Sequence, residues 1–229
     1  MIYCVSDIHG NKKAFENILT LIDLQPSDTL YIIGDIVDRG PHGIEILRQV
    51  TRSPNMVFLM GNHELMMLQT FTEGAFKGSR SHDLWLYNGG EVTERAFVEL
   101  SVGEQIEILD FLQNAGYERE ITVDGKDFLL VHAAPGCCYG ERTQSERGMT
   151  VREFAVWHRS RPEEKLCEGK TVIFGHTPTL YFQKRPQMEI WRGKGRICID
   201  CGAGHALGSS RLACLRLDDM KVFYTDAPE

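Results

Sequence analysis

The sequence has no apolar run approaching the about 18–20 residues that a membrane-crossing helix needs. Its opening, Met1-Ile2-Tyr3-Cys4-Val5-Ser6, reads directly as a strand, with neither a basic leader nor a small-residue cleavage site. The expectation is a cytoplasmic chain with no membrane partner. Positive charge is scarce: 25 Lys and Arg face 32 Asp and Glu, a formal net charge of -7. A protein held to nucleic acid by phosphate contacts has the opposite balance, so no nucleic-acid partner is expected. Low-complexity sequence, linkers and true internal repeats are also missing. Nor is there a disulfide framework. The seven cysteines, Cys4, Cys137, Cys138, Cys167, Cys198, Cys201 and Cys214, are odd in number and scattered, several of them in apolar runs. Reduced, buried thiols are expected. Cys198 and Cys201 have C-x-x-C spacing, but residues three apart on a strand point to opposite faces, and no second pair exists to complete a zinc site.

What is present is 42% hydrophobic and 25% charged over 229 residues, a globular composition long enough for one large core. The stretch that organises it is Gly34-Asp35-Ile36-Val37-Asp38-Arg39-Gly40, placed after the apolar run Leu30-Tyr31-Ile32-Ile33. In open α/β sheets ligands bind beyond the carboxyl ends of the strands, where this charged loop sits. Taken alone, it also fits a helix N-cap with a salt bridge; its recurrence elsewhere decides for a site. Residues 2–6 read as a strand ending in Ser6-Asp7-Ile8-His9-Gly10, and Asn11 caps a helix carrying Phe15, Ile18, Leu19 and Ile22. A second helix carries Ile44, Ile46, Leu47 and Val50, and a third strand over 56–60 ends in Gly61-Asn62-His63-Glu64. This β-α-β-α-β order implies parallel strands with right-handed crossovers. Asp7, Asp35 and Asn62 then lie side by side.

Residues 72–90 are polar and read as an access loop, followed by helices over 91–100 and 103–114. Together, 72–115 reads as a small helical cap inserted in a single domain spanning 1–229. Beyond it, Ile121-Thr122-Val123 and Phe128–Val131 flank an Asp124-Gly125 turn and predict a hairpin ending at His132. A helix over 149–158 precedes Arg159, and a strand over 171–174 ends at Gly175-His176. Strands near 196–200, 211–217 and 221–224 close the chain. The fold class is α/β, with two packed sheets.

Asp7, His9, Asp35, Asn62, His132 and His176 all fall at strand ends. These oxygen and nitrogen donors, with no thiolate among them, suit borderline divalent ions: manganese first, iron or zinc as alternatives. Asp7 and His9 can grip one ion, Asp35 can bridge to a second, and Asn62, His132 and His176 can complete it. Two such ions about 3.5–4 Å apart activate water and clamp phosphate oxygens.

Asp7-Ile8-His9-Gly10, Gly34-Asp35 through Gly40, and Gly61-Asn62-His63-Glu64 resemble the opening signatures of the calcineurin-like metallophosphoesterases. The Val37-Asp38-Arg39-Gly40 segment resembles the phosphoprotein phosphatase branch. The likeness is greatest to small bacterial and phage serine/threonine phosphatases, which carry a segment similar to Trp85-Leu86-Tyr87-Asn88-Gly89-Gly90. It extends through His132, Gly175-His176 and Ile199-Asp200-Cys201-Gly202. The resemblance implies an α/β/β/α sandwich of two mixed sheets flanked by helices. It also implies one ion on Asp7, His9 and Asp35 and another on Asp35, Asn62, His132 and His176. His63 would be the general acid, oriented by Asp38, and Arg39 a phosphate-binding arginine. Arg159 is the candidate second arginine, with a solvated helix residue as the alternative. Two departures stand out: Ser6 where glycine is usual, and Ala133-Ala134 after His132. His205 reads as a surface histidine.

The leading expectation is hydrolysis of phosphoserine and phosphothreonine in proteins by metal-bound hydroxide, with a phosphoprotein or phosphopeptide as partner. The alternative is symmetrical hydrolysis of diadenosine tetraphosphate, small phosphorylated molecules or dinucleoside polyphosphates then being the partners. Trp85, Tyr87 and Phe76 are the aromatics available to stack adenine. A non-catalytic metal-binding regulator is the third reading, disfavoured because the whole residue set is intact.

Overall fold

A computed structural model describes residues 1–72, 79–164, 167–183, 188–205 and 209–225. The first sheet begins with β1 (Ile2–Val5), β2 (Thr29–Ile33) and β3 (Met56–Leu59), which run parallel and are joined through α1 (Lys12–Ile22) and α2 (Gly43–Arg52). The closing strands β9 (Ala213–Arg216) and β10 (Val222–Tyr224) add antiparallel on the other side of β1, giving the order β10-β9-β1-β2-β3. The second sheet is built from β4 (Glu118–Val123), β5 (Lys126–Val131), β6 (Thr171–Phe174), β7 (Trp191–Gly193) and β8 (Arg196–Cys198), in the order β4-β5-β6-β8-β7. Strands β5, β6 and β8 are parallel in it.

Both faces of each sheet are covered, and the side-chain alternation of the strands shows how. On β2, Leu30 and Ile32 pack toward α1 and α2, while Tyr31 and Ile33 face the second sheet. On β5, Phe128 and Leu130 meet the first sheet, while Leu129 and Val131 pack with Phe154 and Ala155 of α7 (Val151–Trp157). A strand alternates sides with period two, so apolar residues at every position mean burial on both faces. The result is two mixed sheets flanked by helices, as the sequence led us to expect.

Local signals hold where they were specific. Asn11 accepts the Ala14 N–H at 3.0 Å and starts α1. Asp124 and Gly125 both have positive φ and close the β4–β5 hairpin. Three features differ from the sequence reading. First, within the supposed 72–90 loop, residues Arg80–Tyr87 form a helix, α4, capped by Ser79. One apolar residue, Trp85, anchors it, too little for a periodic signal; Phe76 lies outside the described residues. The helices α4, α5 (Glu91–Val98) and α6 (Val102–Gln113), with α3 (Asn62–Thr72), send Trp85, Phe97, Ile108 and Leu112 into the core shared with α2. Second, β7 was not foreseen; its three residues pair across a Lys194-Gly195 turn with β8. Third, the cysteines are not all free thiols. Cys137 and Cys167 are joined in a disulfide, because the fold brings their Cα atoms to 6.1 Å across a separation of 30 residues. The other five lie outside this disulfide and are buried.

Candidate active site

The two sheets aim the carboxyl ends of six parallel strands at one crevice. Strands β1, β2 and β3 deliver Asp7 and His9, Asp35 to Arg39, and Asn62 with His63; strands β5, β6 and β8 deliver His132, His176 and Asp200. After β1, β2 and β6 the chain turns inward abruptly. Asp7, His9, Asp35, Asp38, Arg39 and His176 all do so with φ between 48° and 72°. That left-handed conformation costs roughly 1–2 kcal/mol for a residue with a Cβ, and such strain gathers at functional sites.

Hydrogen bonds hold these turns. The Asp7, His9 and Gly10 N–H groups donate to the carbonyls of Gly34, Asp35 and Ile36 at 3.1, 2.9 and 2.7 Å, zipping the first two loops together. Glu64 accepts the N–H groups of Asp35, Ile36 and Val37 at 2.9, 2.6 and 3.1 Å. It is completely buried, and burial together with the nearby Asp35 carboxylate pushes its pKa up to about 7. Gly61 and Gly175 leave no room for a side chain: a Cβ on the first would overlap Asp35, and on the second Ser6 and Asp7.

All six candidate metal ligands converge. Asp35 Oδ2 lies 3.6 Å from His9 Nε2, 3.4 Å from His132 Nε2 and 3.9 Å from His63 Nε2. His9, Asp35 and His63 offer donor atoms within 4.8 Å of one another, as do Asp35, His132 and His176, and Asp35 belongs to both groups. Asn62 Oδ1 is 3.0 Å from His132 Nε2, and Asp7 accepts the His176 N–H at 3.1 and 3.2 Å as well as the Ser6 hydroxyl. Gaps of this size let one ion at about 2.0–2.2 Å reach both partners. The imidazoles are also set as ligands: His9 Nδ1 lies 3.1 Å from the Val37 carbonyl and His132 Nδ1 2.8 Å from that of Ile33, while His176 Nε2 lies 3.2 Å from that of Trp157. A ring nitrogen that donates to a carbonyl leaves the other one with a free lone pair. The donor set fits divalent cations.

The electrostatics of the ligand set point the same way. Burial works to raise the Asp35 pKa, but His132, His63 and His9 outweigh it and hold the carboxylate well below its ordinary range. Burial works against charge on His132 too, yet Asp35 and Asp7 lift its pKa to about 10. Without a cation, a proton on His132 stands in for one. Burial, then the neighbouring imidazoles, keeps His9 and His176 well below the ordinary histidine value.

His63 faces a different set of groups. Its Nδ1 is 2.6 Å from Asp38 Oδ2, and the Trp85 indole N–H donates to that same oxygen at 2.9 Å. Burial lowers the His63 pKa, but Asp35 and Asp38 outweigh it and the net shift is upward. Arg39 Nη2 lies 3.2 Å from His63 Nε2, and Arg39 Nη1 lies 3.3 Å from His205 Nε2. A nitrogen facing a guanidinium is poorly placed to take a metal ion, which separates His63 from the six ligand candidates. Arg159 is exposed at the end of α7 and lines the crevice opposite.

The profile of the calcineurin-like phosphoesterase family matches residues 1–198. The chain belongs to that family. Its members carry a binuclear divalent metal centre, and residues able to bind metal are in place here. The chain is 30% identical over 193 residues to a symmetrical bis(5'-nucleosyl)-tetraphosphatase of Paracidovorax citrulli, an alignment covering 83% of this chain and 62% of the relative. It is 33% identical over 143 residues to serine/threonine-protein phosphatase 2 of Escherichia coli, covering 60% and 61%. A metallophosphoesterase structure from Sphaerobacter thermophilus superposes with a TM-score of 0.56 at 18% identity, covering 100% of this chain and 88% of that one. Within this phosphoesterase scaffold, several residues escaped the sequence reading. Trp85 cannot stack a base: it is 0% exposed and spends its N–H on Asp38, while Tyr87 is 89% exposed. His205 is exposed, as expected of a surface histidine, but it also meets Arg39, which the sequence did not show. Glu64 organises the Asp35 loop, and its signal was an acidic residue in a helix's first turn beside two site residues. Asp200 is buried at the crevice, its carboxyl pushed well up by burial and by Asp7. The strand-end rule that found the ligand candidates also reaches it.

Proposed function

We propose that this phosphoesterase hydrolyses dinucleoside polyphosphates at the middle of the phosphate chain, releasing two nucleoside diphosphates from a dinucleoside tetraphosphate and water. The observation that carries the reaction class is the pair of donor groups sharing Asp35. The substrate reading draws support from the Paracidovorax relative, which is named for that activity.

Asp7, His9 and Asp35 would hold one ion, and Asp35, Asn62, His132 and His176 the other. When bound, such a pair lowers the pKa of water and neutralises phosphoryl oxygens. The residues of the chain do the rest. Arg39 and Arg159 bind non-bridging oxygens of the phosphoryl group under attack; a guanidinium is shaped for two of them. His63 holds a proton at Nε2, which a serine oxygen needs in order to leave and a departing phosphate needs far less, and Asp38 keeps the ring oriented from Nδ1. Trp85 fixes Asp38 in turn.

The test is product analysis. The enzyme reloaded with manganese is expected to convert diadenosine tetraphosphate to ADP alone. Formation of AMP with ATP, or no turnover of the dinucleotide alongside rapid turnover of a phosphopeptide, would overturn the substrate reading. Hydrolysis of phosphoserine and phosphothreonine stands as the second reading. It is favoured by the intact Val37-Asp38-Arg39-Gly40 segment and by the Escherichia coli relative.

A further inference from the structure

Beside the ligand cluster lies a larger concavity that the chemistry above leaves unused. Its volume is about 650 Å³, against about 100 Å³ for the crevice holding the ligands. His9, Arg39 and His205 line both, so the two are continuous. Backbone forms much of its floor. Gly10 and Gly40 approach so closely that a Cβ on either would overlap the other's main chain, and Gly204 covers the His9 ring in the same way. A ligand can therefore lie close to the main chain.

The cleft is also locally positive. Lys12, Lys13 and Arg39 line it against Glu16, with Glu45 just outside and paired to Lys12, in a chain whose net charge is -7. The three cations are not equivalent. Lys12 is occupied by Glu45 at 2.7 Å and Glu16 at 3.9 Å, and Arg39 lies against His63 and His205. Lys13 is exposed and has no carboxylate partner among the described residues.

Building on the dinucleoside polyphosphate reading, we infer that this cleft receives the departing nucleoside diphosphate, with Lys13 as its specificity-determining cation. The reaction requires such a place. Water adds to one central phosphorus, and the bond from that phosphorus to the central bridging oxygen breaks. The bridging oxygen leaves with its electron pair on the second nucleoside diphosphate. That group is a polyanion carrying a nucleoside, and the cleft volume lies in the range of small-molecule sites. An alcohol leaving from phosphoserine carries no charge and has no use for cations beyond the scissile position. The carbon-rich floor can take the nucleoside while Lys13 takes the phosphates.

The test measures inhibition of p-nitrophenyl phosphate hydrolysis, which does not depend on the dinucleotide being a substrate. ADP is the probe for the cleft, and inorganic phosphate, which fills only the scissile position, is the reference. In Lys13→Glu the Ki of ADP is expected to rise about tenfold or more, the scale of a lost charge-assisted hydrogen bond, with the Ki of phosphate within about twofold of wild type. Lys13→Ala should fall between, separating loss of the cation from added repulsion. An unchanged ADP Ki in Lys13→Glu, or a rise shared equally by ADP and phosphate, would overturn the assignment. A wild type that leaves diadenosine tetraphosphate intact defeats the substrate reading, while the ADP comparison still decides the cleft.

Discussion

Replacing His63 with Asn is expected to cut turnover of a phosphoserine peptide by about 10²–10⁴-fold, the usual worth of a general acid, and to cost diadenosine tetraphosphate much less. The difference follows from what leaves. A serine alkoxide is a poor leaving group unless it takes a proton as the bond breaks. A terminal phosphate titrates near pH 6 and leaves as a stable anion at neutral pH. His63 can supply the proton because its Nδ1 is held by Asp38 at 2.6 Å and its pKa is shifted upward against burial by Asp35 and Asp38. Asn is smaller and cannot donate an acidic proton. Steady-state kinetics of both substrates on wild type and His63→Asn measure the two ratios directly. Equal losses on the two substrates would mean that His63 acts by holding Arg39, 3.2 Å away, and not by donating a proton.

Asp35→Asn is expected to have a larger effect still, abolishing turnover on every phosphoester and lowering bound manganese from about two ions per chain to fewer than one. Asp35 Oδ2 lies within 3.9 Å of a ring nitrogen of His9, His63 and His132 alike, and among the described residues Asp35 is the one shared by both donor groups. The substitution also changes how the metal-free protein responds to pH. In wild type the folded-state pKa of His132 is raised to about 10 from an ordinary 6.5, so its contribution to stability is fully present below about pH 6.5 and fades as pH rises through about 10. Asp35→Asn removes the main carboxylate behind that shift and should flatten the profile. Metal analysis after dialysis, with thermal unfolding of the stripped proteins between pH 6 and 10, reads both effects. Full retention of two ions by Asp35→Asn would contradict the bridging role.

The strands and their ends were legible because they carry strong local chemistry. Leu30–Ile33 is an unbroken apolar run, and Asp35, His132 and His176 each follow such a run, His132 directly and the other two after one glycine. Parallel order then follows from the intervening helices, so the meeting of Asp7, Asp35 and Asn62 could be read without coordinates. The meeting of the two sheets could not. Asn62 lies 3.0 Å from His132 across 70 residues, a contact that no spacing rule encodes. Trp85 shows the opposite failure. Its ring was visible as an aromatic available to a base, but only tertiary packing shows it buried against Phe71 with its N–H on Asp38. Cys137 and Cys167 failed for the same reason: scattered in sequence, they are adjacent in space. His205 follows a glycine-rich turn with no apolar pattern, and its place beside Arg39 depends on the loop after Asp200 folding back over His9.

The central claim is that one carboxylate, Asp35, joins two metal ions. Anomalous diffraction from manganese-loaded crystals, recorded at the manganese edge, tests it most directly. The account predicts two peaks about 3.5–4 Å apart, one contacting Asp7, His9 and Asp35 and the other Asp35, Asn62, His132 and His176. A single peak, or a peak bound through His63 with Asp7 left free, would contradict it.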